Sequence, residues 1–419
     1  MTTPHPLSGT ATKTLSPVFP IGSRLNEEGA IEVGGCDLRQ LAREFGTPAY
    51  VYSEDDLRSR ARAFVEAFRS RTDRFGVVYA SKAFPCAAAC RIMAEEGLSC
   101  DVASGGELHL ALRSGFPPER IYMHGNNKTD AELRYAVEQR VGTIVADSLD
   151  DIDRIAALAP GQRVLLRVTP GIAGMTHSAM STGQEDSKFG IPLQSLPDAL
   201  QRAGELEMAG LHAHIGSQIV DLDPFEQIAG TLAQLGDYPV LSVGGGLGIA
   251  YLYDDQVPTI DAWVEALLRG APEGVTILSE PGRALVGNAG VTIYSVGTVK
   301  EIPGVRTYVA VDGGMSDNMR PMLYGSRYEA EIADRFGGDT LCSIAGMHCE
   351  SGDILVRDVM LDNPRRGDVL VIPATGAYGH AMANNYNQIP RPPVIFCRDG
   401  DARVVVRRET YEDLARRDC

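Results

Sequence analysis

The chain has 419 residues, of which 44% are hydrophobic, so it is too long for one small domain and two domains with sizeable cores are expected. The net charge is −16 and no block of like charge stands out, which argues against nucleic acid and anionic membrane as partners. The eight cysteines are scattered, with neither C-x-x-C spacing nor a small disulfide framework, and this usage favours a reducing cytoplasm.

The N-terminal residues 1–22 are rich in Thr and Pro and lack the basic start and the apolar core of a signal peptide. We interpret them as a flexible tail. Residues 23–48 include "GAIEVGGCDLRQLAREFG", a segment that can supply a strand and a helix. We expect this segment to join the second, C-terminal domain.

Short apolar runs, each followed by a helical pattern, occupy residues 49–286. The runs are "VVYASK", "LSCDVAS", "IYMHGN", "GTIVAD", "VLLRVTP", "MAGLHAHIGS", "VLSVGGGLG" and "VTILSEPGR". Intervening segments such as "CAAACRIMAEEG", "ELHLALRSG", "DAELRYAVEQ" and "LDDIDRIAAL" have apolar residues three and four apart. Eight such repeats with near-continuously apolar strands predict an α/β fold, a TIM (β/α)8 barrel. A doubly wound open sheet is the alternative, because sequence order alone does not establish closure.

The pattern changes in residues 287–419. The runs "VTIYSVGTVKEI", "TYVAVDGG", "DILVRDVML", "DVLVIPA" and "ARVVVRRE" indicate strands joined by turns, with a helical interval around "RYEAEIADRF". These runs predict a C-terminal antiparallel, β-barrel-like domain.

Polar groups and glycines stand at the ends of the eight predicted barrel strands. In chain order they are Lys82, Asp101, His124 with Asn126, Asp147, Arg167, His214 with Ser217, Gly244 to Gly246, and Glu280 with Arg283. In a TIM barrel these positions converge on the C-terminal face, where active sites of this fold are built. A merely structural rim does not need such a set, so we predict an active site here.

Lys82 has two interpretations. It is either a strand-end lysine whose ammonium reaches into water, or an amine that forms a Schiff base with a carbonyl compound. The second role requires a sheltered position and a lowered pKa. The polar groups at the other strand ends favour the Schiff-base role.

The remaining strand-end groups suit pyridoxal phosphate. Gly244, Gly245 and Gly246 allow backbone N–H groups to approach a phosphate, although "GGGLG" could be only a tight turn. The run does not match G-x-G-x-x-G, because Ile249 occupies the place of the last glycine. Arg283 can pair with the same phosphate, and Glu280 can keep a pyridine nitrogen protonated. No zinc-type cluster or P-loop competes, so no metal is expected.

The chain resembles the fold-type III pyridoxal phosphate-dependent decarboxylases, and among them the diaminopimelate decarboxylase family. The resemblance covers nearly the whole chain after the N-terminal tail. It is carried, in order, by "YASKAF", "DVASGGEL", "QEDSKFGI", "HAHIGSQI", "VGGGLG", "SEPGRALV", "GGMSDNMRPMLYGSRYEA", "CESGDIL" and "GAYGHAMANNYN". It implies an α/β barrel with a β-barrel domain, assembled as a head-to-tail homodimer with shared active sites.

The resemblance also implies roles at the cofactor. Lys82 would hold pyridoxal phosphate as an aldimine, His214 would stack on its ring and Glu280 would pair with the pyridinium. The phosphate would be held by Ser217, Gly244, Gly245, Gly246 and Tyr378. We assign Asp101, Arg167 and Arg283 to the same cofactor site.

Further implied roles concern the substrate. Arg283, Arg320 and Tyr324 would face phosphate or substrate carboxylate, and Tyr378 is assigned to the substrate as well. Cys349 would enter from the partner subunit near the reacting carbon, and Glu350 would enter with it to meet the distal ammonium. The loop containing "EDSKFGI" would act as a lid.

The implied activity is that of a cytoplasmic carboxy-lyase of lysine biosynthesis, which converts meso-diaminopimelate to L-lysine and carbon dioxide. Reprotonation of the reacting carbon falls to Cys349 or Lys82. Glu280 distinguishes this site from the similar alanine racemases, which place an arginine there. The alternatives are a decarboxylase of ornithine, lysine or arginine, and a non-catalytic cofactor-binding homologue.

Overall fold

The N-terminal part of the chain packs onto the second domain. The computed structural model describes residues 15–171 and 187–419, so residues 1–14 of the predicted tail lie outside it. Leu15, Val18 and Phe19 are buried in an apolar cluster that includes Val51, Val291 and Ile395, so the prediction of a flexible tail is wrong for residues 15–22. The elements that follow are β1 Arg24–Leu25, β2 Ile31–Val33, β3 Cys36–Asp37, α1 Leu38–Phe45, β4 Ala49–Ser53 and α2 Glu54–Arg69.

The next part of the chain forms the barrel. Its strands are β5 Phe75–Ala80, β6 Ser99–Val102, β7 Ile121–Met123, β8 Thr143–Ala146, β9 Arg163–Thr169, β10 Ile191–Pro192, β11 Glu207–His212, β12 Val240–Ser242 and β13 Thr276–Ser279. Its helices are α3 Ala87–Glu95, α4 Gly105–Arg113, α5 Asp130–Glu138, α6 Leu149–Leu158, α7 Leu196–Arg202, α8 Asp223–Ala233, α9 Ile260–Gly270 and α10 Arg283–Val286.

Eight parallel strands close the barrel, and the prediction of a TIM barrel is confirmed. The order is β9-β11-β12-β13-β5-β6-β7-β8, and β8 pairs again with β9, which excludes the open sheet. The short strand β10 pairs with β9 outside this ring. All four residues of β8 are buried, as expected for parallel strands covered on both faces.

Outer helices cover the barrel through large apolar side chains. Trp263 of α9 is fully buried, and its ring centroid lies 5.8 Å from that of Phe64 in α2 and 5.6 Å from that of Phe225 in α8. Both ring pairs meet edge to face, the arrangement that aromatic quadrupoles favour. These contacts bind α2, α8 and α9 to one another on the outside of the barrel.

The second domain contains β14 Gly290–Ile302, β15 Arg306–Val311, α11 Arg320–Tyr324, β16 Glu331–Ile332, β17 Thr340–Ala345, β18 Ile354–Leu361, β19 Val369–Ile372, β20 Val394–Arg398, β21 Asp401–Val406 and α12 Tyr411–Ala415. Its sheet has the order β18-β17-β15-β14-β4-β20-β21, with β19 joined to β14 and β16. Most pairs are antiparallel, but β15 with β17 and β20 with β4 are parallel. The predicted β domain is confirmed, with these two parallel pairs as an addition.

Two segments depart from the sequence-based expectations. The helix predicted around "RYEAEIADRF" is wrong, because Tyr328, Ala330 and Ile332 are buried at alternate positions of an extended segment that includes β16. Residues 49–53, assigned from the sequence to the barrel, form β4 and pair with β14 and β20 of the second domain. In the described ranges no helix combines the length and apolar character needed to cross a membrane.

Candidate active site

A cavity opens at the carboxyl ends of the barrel strands, beside the second domain. Most of the predicted site residues line it, namely Lys82, Arg167, His214, Ser217, Gly245, Gly246, Glu280, Arg283, Arg320, Tyr324 and Tyr378. Asp101 and Gly244 lie directly behind this lining and contact Lys82 and His214 respectively. The barrel and the second domain together therefore assemble side chains that span residues 82 to 378.

Lys82 stands in a single 3-10 turn, Ser81–Ala83, immediately after β5. Its side chain is half exposed to the cavity, and its Nζ lies 3.7 Å from Oδ2 of buried Asp101. The Asp101 charge raises the pKa of Lys82, although burial alone would lower it. The lowered pKa expected for Lys82 is therefore wrong. Burial raises the pKa of Asp101 to about 6 despite the nearby ammonium, so the two groups form an ion pair at neutral pH.

Glu280 lies at the end of β13 within a buried polar network. Its Oε1 accepts a hydrogen bond from Ser242 Oγ at 2.7 Å, and its Oε2 lies 3.0 Å from His212 Nε2. Burial would raise the pKa of Glu280, but His212, His124 and Ser242 hold that pKa well below its usual range. Because an ionised carboxylate only accepts hydrogen bonds, His212 Nε2 carries the shared proton.

His124 faces the same carboxylate from the end of β7. Its Nε2 lies 3.6 Å from Glu280 Oε1, and burial holds the pKa of His124 well below its usual range. The ligand atoms of His124, His212 and Glu280 lie within 4.8 Å of one another, close enough for a metal ion. All three residues line the same cavity as Lys82.

The glycine run after β12 forms a cradle in which no side chain fits. A Cβ on Gly245 would lie 2.2 Å from the Glu280 carbonyl oxygen, and one on Gly246 would lie 2.5 Å from the Gly216 carbonyl oxygen. Gly246 also has a φ of +116°, which L side chains avoid. This close packing places backbone next to the cavity, where N–H groups can meet an anion.

Tyr378 of the second domain contacts the barrel at the cavity. Its φ of +62° lies in the left-handed region, a conformation that costs on the order of 1 kcal/mol for a residue with a side chain. Its backbone N–H donates to the Ala83 carbonyl at 2.8 Å, in the turn that carries Lys82. The Arg283 guanidinium lies over its ring at 4.9 Å. Tyr378 is therefore held at the cavity against its backbone preference.

Two buried arginines lie side by side at the second-domain end of the cavity. Arg283 is 7% exposed and Arg320 is 2% exposed. Among the described residues no carboxylate oxygen lies within 4.0 Å of either guanidinium, although most other arginines of the described chain have one. Buried cations without a counter-ion are costly, so this pair is suited to an anionic ligand.

Cys349 and Glu350 are not brought to this cavity within the chain. Both are exposed in the segment between β17 and β18. Glu350 Oε1 accepts from the Tyr386 hydroxyl at 2.6 Å, and the Cys349 N–H donates to Asn387 Oδ1 at 3.0 Å. Both side chains are therefore accessible on the surface of the single chain.

Several residues of this site were absent from the predicted set. Ser242 and His212 contact Glu280, and Tyr251 and Tyr328 contact the arginines. His212 carries a partial signal, because it shares a strand face with His214 two positions along. For Tyr251 the sequence offers no signal, since its arginine partners lie in other segments of the chain, whereas Tyr328 stands in the same quoted motif as Arg320.

The residues present fit pyridoxal phosphate. Asp101 Oδ2, behind the cavity wall, and His124 Nε2, in the wall itself, are buried atoms without a hydrogen-bond partner. The glycine cradle suits a phosphate, Lys82 offers an amine, and ionised Glu280 suits a protonated pyridine nitrogen. The predicted lid loop lies partly outside the described residues.

Known proteins that are similar to this chain in sequence and in fold indicate its family. The family model "Pyridoxal-dependent decarboxylase, pyridoxal binding domain" matches residues 54–287. The chain is 47% identical over 425 residues to diaminopimelate decarboxylase of Bacillus subtilis (strain 168), covering 94% of this chain and 97% of that protein.

Two solved structures have the same fold over nearly the whole chain. Diaminopimelate decarboxylase from M. jannaschii, in complex with L-lysine, has a TM-score of 0.89 at 34% identity, covering 95% of this chain and 97% of that one. The enzyme from Helicobacter pylori, complexed with L-lysine, has a TM-score of 0.86 at 29% identity, with coverages of 91% and 98%. The present chain therefore belongs to the diaminopimelate decarboxylases, within the pyridoxal-dependent decarboxylase family.

Proposed function

We propose that this chain decarboxylates meso-diaminopimelate to L-lysine, the last step of lysine biosynthesis by the diaminopimelate route, with pyridoxal phosphate as cofactor. The observation that carries the substrate assignment is the buried pair Arg283 and Arg320, which has no carboxylate partner among the described residues. Meso-diaminopimelate brings a second carboxylate at the end that does not react. Ornithine, lysine and arginine lack a carboxylate there.

The chain's own groups would bind the cofactor at three points. Lys82 supplies the amine that attaches it, and ionised Glu280 keeps a proton on its ring nitrogen. The glycine cradle, Ser217 and Tyr378 would hold the phosphate. When bound, pyridoxal phosphate supplies a protonated ring that withdraws the electron pair left by the departing carboxylate. Glu280 needs its low pKa for this role, because a protonated carboxyl group would leave the ring nitrogen neutral.

The remaining cofactor-binding assignments follow from position. His214 lines the cavity and its Nδ1 accepts from the Gly245 N–H at 3.3 Å, so its ring is fixed beside the cradle. Burial keeps the pKa of His214 well below its usual range, and a neutral ring is suited to stacking. Arg167 is held by Asp147, with Nη1 to Oδ2 at 3.3 Å. Both side chains thereby enclose the space in front of Lys82.

Reprotonation completes the reaction. Breaking the bond between the reacting carbon and its carboxylate leaves an electron pair on that carbon, which must take up one proton. Lys82 is the proton donor within the chain, and its raised pKa keeps it charged. Cys349 is the other candidate, and it reaches the cavity only from a second copy of the chain.

We further propose a homodimer with shared active sites. Cys349 and Glu350 are exposed and lie outside the cavity of their own chain, which supports their use by a second copy. Glu350 would accept the distal ammonium of the substrate, while Arg320 and Arg283 take the distal carboxylate. Two copies would then be needed for one complete site.

The cytoplasm is the compartment that we propose. All eight cysteines are free thiols, and six of them are buried. Free thiols persist under reducing conditions.

Carbon dioxide release from a panel of amino acids tests the activity. We expect turnover of meso-diaminopimelate, and turnover of L-lysine and L-ornithine lower by roughly 10⁴-fold, because they leave the buried arginines unpaired. Comparable turnover of ornithine and meso-diaminopimelate would favour a basic amino acid decarboxylase. Binding of the cofactor without release from any amino acid would indicate a non-catalytic homologue.

A further inference from the structure

Tyr251 lies behind the cavity wall, in the loop that follows the glycine cradle. Its side chain is 7% exposed. The loop is tied at this point, because the backbone N–H groups of Tyr251 and Leu252 donate to Asp255 Oδ2 at 2.8 and 3.0 Å. The phenol is thus held in place by its own loop and does not depend on a bound molecule.

The Tyr251 side chain contacts both arginines of the distal site. Its hydroxyl accepts a hydrogen bond from Arg283 Nη1, and the Arg320 guanidinium carbon lies over its ring, 4.7 Å from the ring centroid. Arg320 Nη1 donates in turn to the Tyr328 hydroxyl. The rings of Tyr251 and Tyr328 meet edge to face, with centroids 5.2 Å apart. One phenol therefore touches two guanidinium groups that come from different domains.

A tyrosine is chemically suited to this position. A carboxylate beside the arginines would form permanent ion pairs and compete with a substrate carboxylate for the same N–H donors. A neutral phenol occupies one donor of Arg283 and offers its π-face to Arg320, while the Tyr328 phenol occupies one donor of Arg320. The remaining donors and the full positive charge are left for the ligand. Burial would raise the pKa of Tyr251, but the two arginines lower it, which reflects the positive potential that they create together.

We propose that Tyr251 is a positioning residue for the substrate's distal carboxylate, which sets the spacing of Arg283 and Arg320 and so selects diamino diacids over simple diamino acids. This inference rests on the proposed function. It adds a specificity determinant that does not touch the substrate.

Two substitutions separate the two contacts of this phenol. Tyr251→Phe removes the acceptor for Arg283 and keeps the ring under Arg320, whereas Tyr251→Leu removes both. Tyr253→Phe is the matched control, since that hydroxyl lies in the same loop but donates to Glu331 at 3.1 Å. Tyr328→Phe releases only Arg320 and provides a second test from the other side of the cluster.

Steady-state kinetics of the cofactor-loaded enzyme give the first measurement. In Tyr251→Phe we expect the KM for meso-diaminopimelate to rise about tenfold with kcat within about twofold, because a hydrogen bond to a charged group is lost while the reacting end is untouched. Tyr251→Leu should raise KM further, and Tyr253→Phe should match the unmodified enzyme. A general loss of folded structure would instead lower kcat, so comparing kcat with KM distinguishes the two effects.

Inhibition by two amines gives a measurement that does not depend on the chemical step. L-lysine is the product, so it keeps the distal carboxylate of meso-diaminopimelate, whereas cadaverine has the same carbon chain without any carboxylate. We expect the L-lysine inhibition constant to weaken about tenfold in Tyr251→Phe while that of cadaverine stays the same.

The outcomes separate this inference from the proposed function. If the unmodified enzyme fails to release carbon dioxide from meso-diaminopimelate, the proposed function is wrong. If the unmodified enzyme is active, but Tyr251→Phe and Tyr328→Phe both match Tyr253→Phe in KM and in L-lysine inhibition, the positioning role is overturned. An equal weakening of L-lysine and cadaverine would also overturn it.

Discussion

Asp101 Oδ2 lies 3.7 Å from Lys82 Nζ, and the two residues come from neighbouring strands of the barrel. Ala80 and Asp101 are register partners of β5 and β6, so the barrel itself places the carboxylate beside the turn that carries the lysine. This arrangement explains why the pKa of Lys82 is raised although the role first expected of it suggested a lowered one. An ammonium kept charged can serve as a proton donor once its cofactor bond has been exchanged for that of the substrate.

Lys82 should be the lysine that binds the cofactor covalently. Borohydride reduction of the yellow protein should fix a pyridoxyl group on Lys82, to be located by peptide mapping. Lys128 is an unsuitable competitor, because its Nζ is buried and paired with Asp151 Oδ2 at 2.5 Å. A label on Lys128, Lys188 or Lys300 would show that the site assignment is wrong.

Asp101→Asn should change the pH dependence of cofactor capture. Removing the carboxylate leaves burial to act on Lys82, so the pKa of the amine falls and the neutral, reactive form appears at lower pH. We expect the rate of pyridoxal phosphate uptake by cofactor-depleted protein, followed by absorbance, to have its rising limb at lower pH than in the unmodified protein. Asp198→Asn, at an exposed residue paired with Arg202, is the control and should leave the profile in place. An unmoved limb in Asp101→Asn would contradict the ion pair.

Subunit mixing tests the shared active site. Lys82→Ala and Cys349→Ala chains should each be nearly inactive, and a heterodimer of the two has one site with both residues intact. Activity should therefore return in part after subunit exchange, measured by carbon dioxide release. Absence of recovery, with exchange verified by mass spectrometry, would place both residues in the site of one chain.

Arg320→Ala should weaken selection for the distal carboxylate. Loss of a buried charged partner is expected to lower kcat/KM for meso-diaminopimelate on the order of 10³-fold, with a smaller effect on lysine and ornithine. Arg327→Ala is the matched control, because Arg327 is an exposed arginine of the same segment. If Arg320 were only a surface salt-bridge partner, its replacement would have almost no kinetic effect. Its burial at 2% exposure argues for the large effect.

The sequence by itself determined the barrel and most of the groups around its mouth. Parallel strands buried on both faces produce unbroken apolar runs, so β5 to β9 and β11 to β13 are visible as local patterns. The end of each run marks the end of a strand, and in a barrel all such ends face one way. Lys82, the glycine run and Glu280 could therefore be assigned to one site from their place in the pattern.

The tertiary structure alone decided the features that depend on partners distant in the chain. Tyr251 has no distinguishing local pattern, and it became part of the site only when folding placed it against Arg283 and Arg320. Tyr328 is close to Arg320 in the chain, but only the fold places its ring against Tyr251. The strand β4 lies within the range that the sequence assigned to the barrel, but it pairs with β14 and β20 of the second domain. Strand pairing depends on contacts between residues that are distant in the chain. The sign of the Lys82 pKa shift likewise depended on the competition between burial and the charge of Asp101, and a distance between two atoms decides that competition.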